Sequence, residues 1–399
     1  MIDAHSAEGR EAVRSFEAHR SYLQEQAAVN DRLGQTAISS VERLRCAGLL
    51  GVSAPKPSGG LGLTSLHDVS LLVKEIAAAD GSVGVALSMH FALAVYFART
   101  IAASDDADLV QREWLRELGS GAMVLASAVA EPGLEAWRPA TEARQDADGW
   151  TVSGRKTLVS NSPSATHLYT RVRCVGPGGT RMGSAMIPVA AHGVEVLDDW
   201  DGLGLRGSGS GTVILDDVRV PDRSMRRGGP WGRPDPDDLE GRAAASIPIV
   251  AAYLGIAQAA SDIALAEFAR DSPGARRRSE ATAIRWYVAD MTVAYAEAEA
   301  VFQRSLERID EVFASTPPRS ADPKVGRRIM RECLIASLAV ERETARVIDA
   351  AMQICGGRAF TADHPLARCY RDAKAAAFMR PFSPPERFVE FLLPGSTEA

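Results

Sequence analysis

Four places in this 399-residue chain hold side chains whose type and setting could do chemistry. The first is Gln353-Ile354-Cys355-Gly356-Gly357-Arg358-Ala359-Phe360. Paired glycines let backbone N–H groups approach a phosphate closely, although a glycine after a helical stretch is also the usual helix C-cap. The second is Val159-Ser160-Asn161, at the end of a β-branched run, where a fixed hydroxyl can donate to an atom that gains charge or can cap a turn. His90, in Ser88-Met89-His90-Phe91, lies on an apolar helical stretch; it is either a hydrogen-bonded core histidine or a proton carrier. Arg380, in Met379-Arg380-Pro381-Phe382, is a permanent cation: it can steady an anion and cannot abstract a proton. The other histidines (5, 19, 67, 167, 192 and 364) show no ligand spacing, so no metal is expected.

The elements that must position these groups fall in three zones. Apolar residues at three- and four-residue spacing predict helices over Ala12–Leu33, Thr36–Leu50, His67–Ala79 and Gly84–Ala102, with a Gly/Pro-rich break at residues 55–63. Met123–Ala130 reads as a buried strand. Further strands are expected at Trp150–Gly154 after an Asp148-Gly149 turn, and over Leu168–Val175, Gly183–Val189 and Thr212–Val220. Arg226–Asp238, rich in Gly, Pro and Asp, reads as a linker, and helical periodicity then runs to about Leu393. The resulting division is 1–124 helical, 125–237 β and 238–399 helical: an α+β chain, mainly α. Gly202-Leu203-Gly204-Leu205-Arg206-Gly207 is followed by strand residues instead of a helix, which argues against a nicotinamide-binding turn.

Composition limits the classes of function. The chain is 46% hydrophobic and 24% charged, with a dispersed net charge of −6 and no concentrated basic patch, so no nucleic-acid partner is expected. Five cysteines lack a close pair and are odd in number, which favours a reducing, cytoplasmic setting. The polar N-terminus has no apolar leader-like run, and the apolar stretch Ala243–Ala260 is broken by Ser246, Pro248, Tyr253 and Gln258. It reads as a buried core helix, and no membrane association is expected.

Five blocks in order give the chain a resemblance to the acyl-CoA dehydrogenase family over nearly its whole length. They are Gly51-Val52 through Gly59-Gly60-Leu61-Gly62-Leu63; Ala130-Glu131-Pro132-Gly133; Gly154-Arg155-Lys156-Thr157-Leu158-Val159-Ser160-Asn161; Gly204-Leu205-Arg206-Gly207-Ser208 with Asp216–Pro221; and Gln353–Phe360 continuing to Tyr370-Arg371-Asp372-Ala373-Lys374. The resemblance implies an N-terminal helical domain, a middle β-barrel domain and a C-terminal four-helix bundle. It implies a flavin, with Ala128, Ala130, Val159 and Ser160 along it and Ser160 facing N5. Gln353, Gly356, Gly357 and Arg270 would serve the diphosphate of a flavin in a neighbouring subunit. That favours FAD over FMN and implies a homodimer or homotetramer.

The departures are chemical. Arg380 stands where the family's catalytic glutamate stands, and the alternative glutamate position reads Ala245-Ser246. Ala243 and Ser246 replace the Asp and Arg that meet the CoA moiety; Ala130 replaces a threonine and Leu158 a tryptophan. Glu386 and Glu390 follow, as surface or capping charges. The resemblance then implies desaturation of a thioester-bound acyl group, including one tethered to an acyl or peptidyl carrier protein, by hydride transfer to the flavin with a non-standard base, and an electron-transfer partner to reoxidise the flavin. The alternative is a two-component flavin monooxygenase served by a flavin reductase, in which His90, Ser160 and Arg380 surround the reacting flavin atoms.

Overall fold

The computed structural model describes residues 3–102, 109–176, 179–233, 236–270, 281–318, 322–379 and 389–393. The N-terminal periodicity becomes six helices: α1 (Ala7–Glu17), α2 (Arg20–Leu33), α3 (Ile38–Cys46), α4 (Leu66–Ala79), α5 (Gly81–Ala102) and α6 (Leu109–Gly119). The continuous helix expected over Ala12–Leu33 is interrupted. Phe16 and Leu23 are both fully buried, and a turn closed by the His19 N–H on the Phe16 carbonyl redirects the chain between them. α4 and α5 are buried on nearly every side, and Asp80 between them caps α5 by accepting from the Ser82 and Val83 N–H groups.

The middle region is one eight-stranded sheet. Its strands are β1 (Leu125–Ala128), β2 (Glu142–Asp146), β3 (Gly149–Val159), β4 (His167–Val175), β5 (Arg181–Pro188), β6 (Val194–Val196), β7 (Gly211–Val220) and β8 (Met225–Pro230). The order is β6-β7-β3-β2-β4-β5-β8, with β1 also paired to β4. β1 and β2 share one edge of β4: β1 pairs with residues 167–170 and β2 with 173–175, both in parallel. The gap between them falls at Arg171 and Val172, where the loop 129–141 leaves the sheet. The linker expected over Arg226–Asp238 begins instead as strand β8, which takes Arg226–Pro230 and pairs antiparallel to β5 at the sheet's end, and its last residues, Pro236–Asp238, open a helix. The strand's glycines and proline are tolerated because an outer strand needs only one hydrogen-bonded side.

The C-terminal region packs α7 (Pro236–Ala269), α8 (Thr282–Ser315) and α9 (Pro323–Cys355) with the shorter α10 (Pro365–Lys374); α11 (Val389–Leu392) follows. Two stretches, Gly81–Ile101 and Leu239–Ala269, are long and apolar enough to cross a membrane, but 89% and 56% of their most apolar windows are buried inside the protein. They are core helices. None of the five cysteines is in a disulfide, and four of them are buried.

Candidate functional site

A cavity of about 360 Å³ opens where the three regions meet. α5 supplies Met89, Ala92 and Tyr96; the β1 end supplies Ser127 and Ala130; β3 and its continuation supply Leu158 and Ser160; and α7 supplies Arg242 and Ser246. The β3 end is shaped by an irregularity between Lys156 and Val159 that leaves Leu158 and Asn161 at φ of 53° and 66°. Left-handed backbone at side chains of this size carries strain, and such residues cluster at functional sites. The bend puts Ser160 on the cavity wall. Its hydroxyl shares a 2.8 Å hydrogen bond with Ser210, which in turn lies 2.7 Å from the Ser208 hydroxyl.

The wall is held from behind by a buried ion pair. Lys156 fills the gap between β1 and β2, donating to Glu131 Oε1 and to the Arg171 carbonyl, both at 2.6 Å. Glu131 also accepts from the Ala140 and Thr141 N–H groups, so a single carboxylate ties down both ends of the 129–141 loop. Burial pushes the Lys156 ammonium down to about 8 against the pull of Glu131. Burial would raise the Glu131 carboxyl, but Lys156 chiefly, with hydrogen bonds from Thr141 and the Ala140 N–H, brings it below its ordinary value.

Charge inside the cavity is strongly asymmetric. Arg171 from β4, Arg226 from β8 and Arg242 from α7 line it, and among the described lining residues Glu135 is the single carboxylate. Trp137 orients Glu135 through a 2.9 Å bond from its indole N–H, and the Arg242 guanidinium lies 5.2 Å from the Trp137 ring centroid. Sequence reading missed all five residues. They come from three strands or helices and a loop, and no spacing rule links them.

The residues singled out in the sequence separate into groups. Ala130 and Ser160 line the cavity, whereas Ala128 and Val159 are fully buried behind it. His90 is fully buried and absent from the lining: Nε2 lies 2.8 Å from the Leu50 carbonyl, and Nδ1 accepts from the Leu125 N–H at 3.1 Å. This is the hydrogen-bonded core histidine, tying β1 to α5 and the loop before α4. Burial lowers its pKa to about 4, so it is neutral at physiological pH. Gln353 and Gly357 lie exposed at the C-terminal turn of α9, with Gly356 at φ 70°, away from the cavity lining. Arg270 is exposed at the end of α7, 3.2 Å from Glu267. Arg380 lies outside the described residues, as does Glu386; Phe378 and Met379 just before Arg380 line the cavity. Glu390 is exposed on α11.

Spacing also missed one cluster outside this lining. His5 stacks on His67 at 3.6 Å, and Asp68 accepts from His67 and from the His5 and Ser6 N–H groups. His5, His67 and Asp68 each bring a ligand-type atom within 4.8 Å of the others, and Asp68 is engaged in fastening the N-terminal segment.

The residues around the cavity suit a flavin. A hydroxyl and the β1 and β3 backbone ends face a cavity of ring-system size, and the adjacent Asn161 keeps a buried side-chain amide nitrogen without a partner. Comparison with known proteins places the chain in its class. Models of the N-terminal, middle and C-terminal domains of acyl-CoA dehydrogenases match residues 4–122, 126–218 and 247–383. The chain belongs to the acyl-CoA dehydrogenase family, and it is a flavin-dependent oxidoreductase on that fold.

Its similarity to particular members is more telling. It is 32% identical to the amino sugar nitrososynthase RubN8 of Streptomyces rubradiris, over 96% of this chain and 89% of that protein. It is 34% identical to the amino sugar nitrososynthase DnmZ of Streptomyces peucetius, over 94% and 90%. Among solved structures, KijD3 in complex with FMN and dTDP-3-amino-2,3,6-trideoxy-4-keto-3-methyl-D-glucose superposes with a TM-score of 0.87 at 31% identity, covering 97% of this chain and 93% of that one.

Proposed function

We propose that this protein is a flavin-dependent N-oxygenase acting on the amine of a nucleotide-linked amino sugar, the alternative reading of the sequence in place of acyl-thioester desaturation. The observation that carries this is the cavity's charge: three arginines and one carboxylate surround the space beside Ser160. Three guanidiniums match a diphosphate, because Arg presents paired donors to phosphate oxygens. A thioester substrate would need a base to remove a carbon-bound proton, and the two family positions for it hold Arg380 and Ala245-Ser246. The nitrososynthase relatives and the sugar nucleotide bound by KijD3 point the same way.

When bound and reduced, the flavin supplies two electrons to O₂, so that one oxygen atom goes to the amine nitrogen and the other leaves as water. Ser160, braced by Ser210 and Ser208, and the Ala130 backbone would hold the flavin. Arg171, Arg226 and Arg242 hold the diphosphate and so fix the sugar's position. Glu135, oriented by Trp137, takes the proton that an alkylammonium must lose before its nitrogen can accept oxygen. The apolar wall of Met89, Ala92 and Ile249 excludes water from that nitrogen. The exposed Gln353–Phe360 turn, with Phe360 87% exposed, supports FAD: a second copy of the chain would bring its flavin diphosphate there.

With a flavin reductase, NADH and O₂, turnover of an amino-sugar nucleotide is expected only when all three are present. Glu135→Gln should slow it by roughly 10²-fold at pH 7. The loss should shrink as pH climbs toward the amine's own pKa, where solvent removes the proton instead. A deficit that stays constant across pH, or none at all, would contradict the assignment of Glu135.

A further inference from the structure

Asp372 is buried on α10, outside the lining of the cavity, and its Oδ1 accepts from the Leu205 N–H at 2.6 Å. Leu205 is itself buried and opens a tight loop at φ 52°. Its carbonyl accepts from the Ser208 N–H and from the Trp200 indole N–H, both at 3.0 Å. Two ties run from this loop to the cavity wall. The Ser208 carbonyl accepts from the Asn161 N–H at 2.9 Å, and the hydroxyls of Ser208, Ser210 and Ser160 form a chain with steps of 2.7 and 2.8 Å. Ser208 and Ser210 are buried behind the wall, and Ser160 is the member that lines the cavity.

We infer that Asp372 is a positioning residue for the flavin site, acting through residues 205–210 to hold the Ser160 hydroxyl on the cavity wall. The inference rests on the reading of Ser160 as a flavin contact. Left-handed backbone is unfavourable at a leucine, and a buried N–H needs an acceptor. The Asp372 carboxyl supplies that acceptor and so fixes the start of the loop. A chain of hydroxyls is directional, because each O–H donates to one oxygen. When Ser208 donates to Ser210 and Ser210 to Ser160, the Ser160 proton is left for the cavity, and each bond polarises the next. With the acceptor on α10 gone, the loop loses its fixed start and the serine chain its register. The Ser160 hydroxyl is then no longer held for a ligand.

The test is titration of the full-length protein, freed of flavin, with FMN, followed by quenching of the flavin's fluorescence. Ser160→Ala is expected to weaken FMN by about tenfold, the size of one lost hydrogen bond. Asp372→Ala should weaken it by about fivefold. Asp372→Asn, which keeps the acceptor oxygen, should bind FMN as the parent does. In a Ser160→Ala background, Asp372→Ala should cost nothing further, because its effect on the flavin has no other route. Ser210→Ala removes a single oxygen and cuts the chain midway, so it should match Asp372→Ala; it keeps the test open if loss of Asp372 prevents folding. Unchanged FMN binding in Asp372→Ala or Ser210→Ala, an Asp372→Asn variant as weak as Asp372→Ala, or losses that add in the double variant would each overturn the inference. The two readings fail separately. Desaturation of a thioester in place of amine oxidation would sink the N-oxygenase alone, and oxygen transfer with additive losses of FMN affinity would sink the role of Asp372 alone.

Discussion

Lys156→Met is expected to cost roughly 3–5 kcal/mol of stability, because it strands a buried carboxylate. Lys156 has a fully buried side chain, and the Glu131 side chain it pairs with is only 4% exposed. Without the ammonium, Glu131 keeps two backbone N–H donors and no countercharge. The Arg171 carbonyl loses its donor at the same time, at the one point where β4 has neither β1 nor β2 beside it. The damage should reach function, since the 129–141 loop carries Ala130, Glu135 and Trp137 into the cavity. Flavin retention and turnover are therefore expected to fall together with the melting temperature. Lys156→Met combined with Glu131→Gln should cost less than Lys156→Met alone, because the charge left unpaired is removed with its partner. Urea denaturation of the three proteins measures this, and a single variant as stable as the parent would refute the account of the pair.

Asp372→Asn is expected to act in the opposite direction. Asp372, on α10, is fully enclosed; its Oδ1 accepts from the Leu205 N–H at 2.6 Å. A side chain at Gly204 would strike the Arg371 backbone at 2.4 Å, so the glycine is what lets α10 sit against this loop. Asp80 stands at the same corner with one buried oxygen unpartnered. Arg368 opposes the two acids, while Arg371 is engaged bidentately by Asp31. Burial chiefly, with Asp80 and Asp31 adding to it, pushes the Asp372 carboxyl up to about 7 from 3.8. A carboxyl whose folded pKa is raised binds its proton more tightly in the native state than in the unfolded chain. Its stabilisation is therefore complete below about pH 4 and is lost as pH rises to about 7, by up to about 4 kcal/mol. Asparagine keeps the oxygen that accepts from Leu205, never ionises, and can donate to Asp80. The variant should be more stable than the parent at pH 8 by up to about 4 kcal/mol, the difference shrinking to roughly 2 kcal/mol at pH 5 and vanishing at about pH 4, by denaturant titration at the three values. Lower stability than the parent at pH 8 would show that the charged form is the one the corner is built to hold.

Much of the fold was legible because its signals are local. Hydrophobic period marked α4, α5 and the later helices, and the Asp148-Gly149 turn announced β3. The errors have physical causes. The α1–α2 break carries no proline or glycine; it comes from the need to bury Phe16 and Leu23 together. β8 was hidden because Arg226–Pro230 has turn composition, and its pairing with β5 is a tertiary fact. At the site, Ala130 and Ser160 could be found from the blocks around them. Arg171, Arg226 and Arg242 could not, because a charge that faces inward looks the same in sequence as one that faces solvent. His90 misled for the converse reason: a buried histidine satisfied by two backbone groups carries the same letter as a catalytic one.

Passage of oxygen from O₂ to the amine nitrogen of a nucleotide-linked sugar is tested by supplying the flavin-loaded protein with a flavin reductase, NADH, ¹⁸O₂ and dTDP-3-amino-2,3,6-trideoxy-4-keto-3-methyl-D-glucose, the sugar nucleotide bound by KijD3, and following the product by mass spectrometry. One ¹⁸O atom on nitrogen is expected, as hydroxylamine or nitroso product, and none when the reductase is omitted. Unchanged amine, alongside anaerobic bleaching of the flavin by an acyl thioester, would contradict it and return the protein to the dehydrogenases.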